Sequence, residues 1–167
     1  LLNNKLYTIP MAIEESSVVA AASKTAKFWS SRGGFNSSIL SKEKVGQIHF
    51  LFYGKSKDLI SFFNDKKRSL VTSTNLLTNN MRSRGGGIKK IKLIDKTQLI
   101  KNYYQIHVAF ETIDSMGANF INSCLEQIAK SFKSQIDGFK NFSDTDKKID
   151  IVMSIMSNYV PNCLARS

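Results

Sequence analysis

The stretch from residue 104 to residue 110 has the clearest periodicity in the chain. Its apolar residues Tyr104, Ile106, Val108 and Phe110 alternate with polar or small residues. Side chains of a β-strand point to opposite faces in turn, so this pattern predicts a strand that is buried on one side. A sheet with one buried face needs helices or a second sheet to cover it, which limits the fold to a few layered classes.

Strand-like and helix-like segments alternate along the rest of the chain. Alternating apolar residues predict further strands at 45–53, 88–94 and 149–155. Apolar residues spaced three and four apart predict helices at 14–29, 57–77 and 114–136. The order from residue 45 is βαββαβ, which is typical of the ferredoxin-like α+β fold, an antiparallel sheet with two helices on one face. The helix at 14–29 precedes this unit.

The charge of the chain is strongly positive. Lys and Arg outnumber Asp and Glu by 24 to 13, giving a formal net charge of +11. Such an excess attracts nucleic acid, acidic membranes or phosphate-rich cofactors, but the basic residues are scattered, as on solvated faces. A basic ferredoxin-like RNA-binding module is the alternative, yet the strands lack the paired aromatic signature of such modules. We therefore expect no nucleic-acid partner.

Cysteine content and hydropathy exclude several other classes. Cys124 and Cys163 are too few for a disulfide scaffold or a four-ligand zinc site, which suits a reducing cytoplasm. No apolar run approaches the roughly 18 to 20 residues that a membrane-spanning helix needs. We expect a cytoplasmic protein without a metal site or a membrane segment.

Two acids stand at the start of the first predicted helix. Glu14 and Glu15 precede its apolar residues, and acids near a helix N-terminus are stabilised by the helix dipole. Ser17 can likewise be an ordinary serine at a helix start. The residues alone therefore require no catalytic role.

A second group of interest lies between the strand at 104–110 and the last predicted helix. The strand is expected to end at Glu111 and the helix to begin near Asp114, where free amides can bind a pyrophosphate. Gly117 would let a ligand approach the backbone closely. The ordinary alternatives are a helix cap for Asp114 and a core position for Met116. The G-x-G-x-x-G pattern is absent here, so no Rossmann domain is indicated.

Two sequence blocks together identify a family. Residues 10–23 (PMAIEESSVVAAAS) and residues 114–122 (DSMGANFIN) resemble the substrate-domain and dinucleotide-binding motifs of 3-hydroxy-3-methylglutaryl-coenzyme A (HMG-CoA) reductases of the bacterial type, class II. The segments at 33–35, 85–87 and 155–158 also resemble that family. The resemblance therefore covers nearly the whole chain.

The resemblance implies a domain organisation. Residues 1–40 would be a segment of the substrate-binding large domain, which contains the first helix. Residues 41–158 would form the small NAD(P)-binding domain, and residues 159–167 would begin the return into the large domain.

The resemblance also implies roles for particular residues. Glu15 corresponds to the catalytic acid and Ser17 to a substrate-binding position, although Ser16 stands where the family usually has proline. The cofactor-binding positions implied are Asp114, Met116, Gly117, Ala118 and Asn119.

The reaction implied is the interconversion of HMG-CoA with mevalonate and coenzyme A, by two hydride transfers with NADH or NADPH. Family members are homodimers, and they use a downstream lysine, aspartate and histidine whose motifs this chain does not contain. We therefore expect a fragment that is inactive alone, with an exposed apolar patch on its first helix.

Four further basic residues have two interpretations each. Arg82 and Arg84 could meet phosphates of coenzyme A or of the cofactor, or be solvated. His49 and His107 fall within strand patterns, outside the family's catalytic-histidine motif, and are interpreted as residues of the sheet.

Overall fold

The computed structural model describes residues 1–144 and 146–167. Its helices and strands, in chain order, are α1 (Ser16–Ser30), β1 (Ser38–Phe52), α2 (Ser56–Thr72), α3 (Asn75–Ser83), β2 (Gly87–Asp95), β3 (Tyr103–Glu111), α4 (Ala118–Asp137), β4 (Ile149–Met156) and β5 (Cys163–Arg166). The chain divides into an N-terminal unit, Leu1–Ser41 with Leu164–Ser167, and a sheet unit, Lys42–Cys163.

The sheet has the strand order β2-β3-β1-β4, and β5 pairs with β1. The pairs β2–β3, β3–β1 and β1–β4 are all antiparallel. Gly46 lies opposite Val108 on one side and opposite Met156 on the other. This order and these directions confirm the ferredoxin-like α+β fold expected from the sequence.

The predicted alternation defines the buried face of the sheet. Ile48, Phe50 and Phe52 of β1 are completely buried. They belong to a core that includes residues from the apolar stripes of the covering helices: Leu59, Phe62, Phe63 and Leu70 of α2, and Ile121, Leu125, Ile128 and Phe132 of α4. The aromatic members meet mainly edge to face or tilted, as with Phe50 and Phe132 at 5.2 Å between ring centroids.

Gly46 sets how closely α4 approaches the sheet. A Cβ at this position would lie 2.6 Å from Leu125 Cδ1 and 3.0 Å from Ile121 Cγ2. Only glycine therefore allows the present packing of α4 on β1. The start of α4, where the second sequence motif lies, is positioned by this contact.

The segment 57–77, which was predicted as a single helix, forms two helices. The segment breaks at Ser73 and Thr74, and α3 then continues to Ser83. The Ser73 hydroxyl donates to Leu70 O at 2.7 Å and the buried Thr74 hydroxyl donates to Val71 O at 2.7 Å. Such side-chain bonds to the backbone compete with helix hydrogen bonding and explain the break.

The N-terminal unit contains α1, which was predicted, and most of β5, which was not. The helix predicted at 14–29 is α1, and none of its residues is buried. Phe28 and Trp29 are 50% and 41% exposed, so the expected apolar patch on this helix is present. The strand β5 was not predicted, because Cys163–Arg166 is short and has no alternating pattern.

Candidate functional site

The segment joining β3 to α4, residues 112–117, is a turn. We name it the cofactor turn because it contains part of the motif whose resemblance implies cofactor binding. The helix predicted at 114–136 begins only at Ala118, so Asp114 lies in the turn and is not a helix cap. The N-cap is Gly117, whose φ of 78° is left-handed. Ile113 also has a positive φ, of 55°. Two left-handed residues so close together prevent the helix from starting earlier.

Side-chain hydrogen bonds hold the cofactor turn closed. The Thr112 hydroxyl donates to Ser115 O at 2.7 Å, and the Ser115 hydroxyl donates back to Thr112 O at 2.8 Å. The backbone N–H of Ile113 donates to Glu111 Oε1 at 2.9 Å. Thr112 is 1% exposed, so these bonds fix the turn to the end of β3.

Gly117 is required in the turn on two grounds. Its left-handed φ is costly for residues with a side chain. A Cβ there would also lie 2.5 Å from Thr112 Cγ2 and 2.8 Å from Thr112 Cβ. Within the chain, the backbone of Gly117 thus approaches Thr112 closely, and the approach of a ligand to Gly117 stays a prediction.

Lys44 is a member of this site that the sequence did not reveal. Its ammonium group donates to Thr112 Oγ1 at 2.8 Å, Ser115 O at 2.7 Å and Met116 O at 2.8 Å. A lysine in a strand pattern is ordinarily solvated, and nothing in its spacing indicates a contact with a turn so distant in sequence.

The outer surface of the cofactor turn is accessible. Asp114 and Asn119 are exposed, and Met116 is 70% exposed. In the first turn of α4 the N–H groups of Ala118 and Asn119 have no partner within the helix, as at any helix start. An acidic side chain, a large apolar side chain and free amides thus lie along one short segment.

The first turns of α4 are also fixed to β4. Asn122 Oδ1, in the first turns of α4, accepts the backbone N–H of Met156 at 2.9 Å. Since α4 also packs closely on Gly46, contacts with the sheet determine both the direction of α4 and the distance of its first residues from the sheet.

The glycine loop, residues 85–87, lies against the C-terminal end of β3, where the cofactor turn begins. A Cβ on Gly86 would lie 2.6 Å from Glu111 O. Arg82 and Arg84, just before this loop, are exposed. Each has a local contact, Arg82 Nη1 with Asn75 Oδ1 at 3.3 Å and Arg84 Nε with Asn80 O at 3.1 Å.

The residues Glu15 and Ser17 meet in the N-terminal unit. The Ser17 hydroxyl donates to Glu15 Oε1 at 2.7 Å. Glu15 is the N-cap of α1 and Ser16 is its first residue, but no side-chain capping bond is made. Both Glu15 and Ser17 are exposed. Ser17 therefore orients the Glu15 carboxylate and does not cap the helix.

Comparison with known proteins identifies the family from which these two segments come. The family model for hydroxymethylglutaryl-coenzyme A reductase matches residues 1–167. The chain belongs to the HMG-CoA reductase family.

Two curated relatives are similar to this family member. The 3-hydroxy-3-methylglutaryl-coenzyme A reductase of Archaeoglobus fulgidus is 30% identical over 167 residues, all of this chain and 36% of that protein. The probable 3-hydroxy-3-methylglutaryl-coenzyme A reductase of Borreliella burgdorferi is 34% identical over 132 residues, 77% of this chain and 28% of that protein. The chain thus spans about a third of the length of these relatives.

Solved structures of the family have the same fold. The class II HMG-CoA reductase from Streptococcus pneumoniae, bound to NADPH in open conformations, matches with a TM-score of 0.71 and 26% identity. The match covers 99% of this chain and 42% of that one. Another structure of the Streptococcus pneumoniae enzyme matches with the same TM-score over 36% of its chain.

The two histidines of this family member lie on the sheet face opposite the core helices. His49 Nδ1 lies 2.6 Å from the Tyr103 hydroxyl, and His107 Nε2 lies 2.7 Å from Gln105 Oε1. His49 and Tyr103 are also stacked, with ring centroids 5.9 Å apart. Desolvation lowers the pKa of both histidines, and Lys96 lowers the pKa of His107 further. These rings are hydrogen-bonded residues of the sheet.

Three other features bear on the chemistry available. Burial raises the pKa of the Cys124 thiol to about 11, so that this thiol is not a nucleophile near neutral pH. Within residues 1–144 and 146–167, no three His, Cys, Asp or Glu side chains form a metal-ligand cluster. No helix in the described parts of the chain is long and apolar enough to cross a membrane.

Proposed function

We propose that this chain supplies the cofactor-binding residues and the catalytic acid of an HMG-CoA reductase. The reaction interconverts HMG-CoA with mevalonate and free coenzyme A by two hydride transfers. In this proposal residues 1–40 are a segment of the substrate-binding large domain, residues 41–158 form the small NAD(P)-binding domain, and residues 159–167 begin the return into the large domain.

The cofactor turn carries the proposal. Its shape suits a dinucleotide, because the N–H groups at the start of α4 attract a pyrophosphate and the Asp114 carboxylate can accept hydrogen bonds from a ribose. Met116 exposes an apolar side chain that can lie against a flat ring. The cofactor-binding residues proposed are Asp114, Met116, Gly117, Ala118 and Asn119.

The cofactor proposed is NADH or NADPH, and it supplies the hydride when bound. The NADPH in the Streptococcus pneumoniae relative supports a nicotinamide cofactor. Arg82 and Arg84 lie beside the loop that contacts Glu111, and their charge favours the additional phosphate of NADPH. We therefore expect the double variant Arg82→Ala/Arg84→Ala to weaken NADPH binding more than NADH binding.

Glu15 is proposed as the general acid of the reaction. Ser17 is proposed as the residue that contacts the acyl part of the substrate. A carboxyl group can donate its proton to a carbonyl oxygen that is being reduced, a contribution typically worth about 10² to 10⁴ in rate. The Ser17 hydroxyl holds one Glu15 oxygen, which leaves the other oxygen to face a substrate.

The complete reaction requires groups that this chain does not contain. In this proposal these groups are the lysine, aspartate and histidine that the family resemblance implies further along the enzyme. We propose that the chain alone does not catalyse the reaction, and that the intact enzyme is a cytoplasmic homodimer. Its partners are HMG-CoA, mevalonate and coenzyme A, without nucleic acid or membrane.

A calorimetric titration of the 167-residue chain with NADPH and NADH tests the cofactor proposal. Asp114→Ala is expected to weaken binding roughly ten-fold, because a charged hydrogen-bond acceptor is lost. Asp137→Ala is the matched control, since Asp137 carries the same charge at the other end of α4 and is exposed. Its affinity should equal that of the wild type.

A single-stranded RNA titration tests the alternative function. Besides the net charge of +11, the stacked pair of His49 and Tyr103 favours RNA, although their polar atoms are bonded to each other. Salt-sensitive RNA binding without any nucleotide binding would replace the reductase proposal. Equal nucleotide affinities for wild type and Asp114→Ala would remove Asp114 from the site.

A further inference from the structure

All three protons of the Lys44 ammonium group are used within the cofactor turn. They are donated to Thr112 Oγ1, Ser115 O and Met116 O at 2.7 to 2.8 Å. An ammonium group has three donors and no acceptor, so its capacity is filled. Hydrogen bonds from a charged donor are roughly twice as strong as neutral ones. Lys44 therefore binds the turn firmly and has no donor left for a ligand.

The turn needs such a restraint because its backbone is strained. Ile113 has a φ of 55°, which is an outlier for a β-branched residue. Residues held in this region cost about 1 to 3 kcal/mol each and persist only where their surroundings fix them. The bonds from Lys44 and to Glu111 supply that fixation from both sides of Ile113.

The two carbonyl bonds also determine where the amides point. In a trans peptide the C=O and the next N–H point in opposite directions, and no peptide in the described residues is cis. Since Ser115 O and Met116 O point at Lys44, the N–H groups of Met116 and Gly117 point away from it. Neither amide donates to an acceptor in residues 1–144 or 146–167.

We propose that Lys44 is a positioning residue that fixes the cofactor turn with the Met116 and Gly117 amides directed outward. This inference rests on the proposed function, because those amides then extend the row of free N–H groups at the start of α4 toward a dinucleotide pyrophosphate. Successive backbone N–H groups arranged in this way form an anion-binding concavity. Lys44 acts through the turn and does not touch the nucleotide.

The experiment compares Lys44→Met and Lys44→Arg with the control Lys42→Met in the full 167-residue chain. Methionine keeps the length of the side chain but removes its charge and donors. Arginine keeps the charge, but its planar guanidinium cannot present three protons to the same three acceptors. Lys42 lies on the same strand and is exposed, so its replacement changes the net charge equally.

Three quantities are measured for each variant. Backbone ¹⁵N relaxation without nucleotide gives the order parameters of Met116 and Gly117. Calorimetric titration gives the affinity for NADPH, and far-UV circular dichroism gives the melting temperature. The wild type and Lys42→Met should have rigid turn amides, with order parameters of about 0.85.

Lys44→Met is expected to remain folded, with turn order parameters below roughly 0.6 and an affinity for NADPH weaker by roughly ten-fold or more. Lys44→Arg should lie between wild type and Lys44→Met. A folded Lys44→Met with rigid turn amides, or with unchanged affinity where the wild type binds, would overturn the proposal. If Lys44→Met fails to fold, Lys44→Arg decides by the same criteria.

Loss of folding in both Lys44 variants would also overturn the proposal, because Lys44 would then be a residue of general stability. A wild-type chain that binds no NADPH would count against the proposed function alone. The order parameters of the nucleotide-free variants would still decide whether Lys44 positions the turn.

Discussion

The cofactor turn and the start of α1 carry the two proposed halves of the chemistry, and they are held in opposite ways. The turn is fixed by the Lys44 ammonium group, by the Glu111 carboxylate and by the buried Thr112. At the start of α1, Glu15 has one side-chain contact, from Ser17, and both residues are exposed.

The contacts that hold the cofactor turn thus come from its own unit, whereas the N-terminal unit provides few contacts to Glu15. The conformation of the cofactor turn follows from contacts inside the sheet unit alone. In the N-terminal unit, by contrast, the Glu15 carboxylate is exposed and is held by the hydroxyl of Ser17 alone among the side chains of the described residues. We therefore expect nucleotide binding to be a property of the sheet unit, and the placement of the Glu15 carboxylate to depend on its surroundings in the assembled site.

The largest expected effect comes from Gly117→Ala. The new Cβ would meet the Thr112 side chain at 2.5 Å, and the left-handed φ of 78° adds further cost. We expect the free energy of unfolding to fall by about 3 kcal/mol and NADPH binding to be lost. Chemical denaturation and calorimetric titration measure the two effects.

Gly33→Ala is the control for backbone cost alone. Gly33 has a φ of 99°, but a Cβ there would meet nothing within 4 Å. We expect a loss of about 1 kcal/mol and an unchanged affinity for NADPH. Equal effects of the two substitutions would show that the contact with Thr112 is unimportant.

Gly46→Ala should have the next largest effect. Its Cβ would lie 2.6 Å from Leu125 Cδ1, so either the buried Leu125 side chain must shift or α4 must move away from β1. Overpacking of this kind costs about 1 to 3 kcal/mol. The hydrogen bonds of the cofactor turn remain, so nucleotide affinity should fall less than in Gly117→Ala. A greater loss of affinity would mean that the position of α4 controls the site more than the turn does.

Ser17→Ala is expected to change little in the chain itself. Ser17 is exposed and its one side-chain bond is to Glu15, so the free energy of unfolding should change by less than about 0.5 kcal/mol. NADPH affinity should be that of the wild type. A large change in either quantity would contradict the contrast between the two regions.

The smallest effect concerns pH. Burial lowers the pKa values of His49 and His107 in the folded chain below the ordinary value of 6.5. The unfolded chain then binds more protons as the pH falls below 6.5, so their contribution to stability is present above that pH and is lost below it. Lowering the pH from 7.5 to 5.0 should therefore reduce the melting temperature slightly through these residues.

The double variant His49→Gln/His107→Gln isolates that contribution from the titration of carboxylates. Its melting temperature should fall less than that of the wild type over the same pH range. An equal fall in both proteins would mean that the two histidines do not contribute.

The sequence predicted the strands more reliably than the helix ends. Alternation of apolar residues correctly indicated β2, β3 and β4, because the pattern of side-chain burial repeats along each strand. The helix ends were missed where local features decide: the left-handed backbone at Gly117, and the side-chain hydrogen bond at Thr74. Helical spacing alone cannot detect such features.

The same limit applies to the candidate site. Family motifs indicated Asp114, Gly117 and Glu15, and the roles of these three residues stay predictions. Lys44 could not be predicted, because its contacts with Ser115 and Met116 arise only when β1 and β3 pair.

The most direct test of the central claim is an NMR titration of the ¹⁵N-labelled chain with NADPH. We predict saturable shifts concentrated in residues 112–120, with the largest changes at the amides of the cofactor turn and the start of α4. Absence of any saturable shift, or shifts confined to the sheet face that carries His49 and Tyr103, would contradict a nicotinamide site at the cofactor turn.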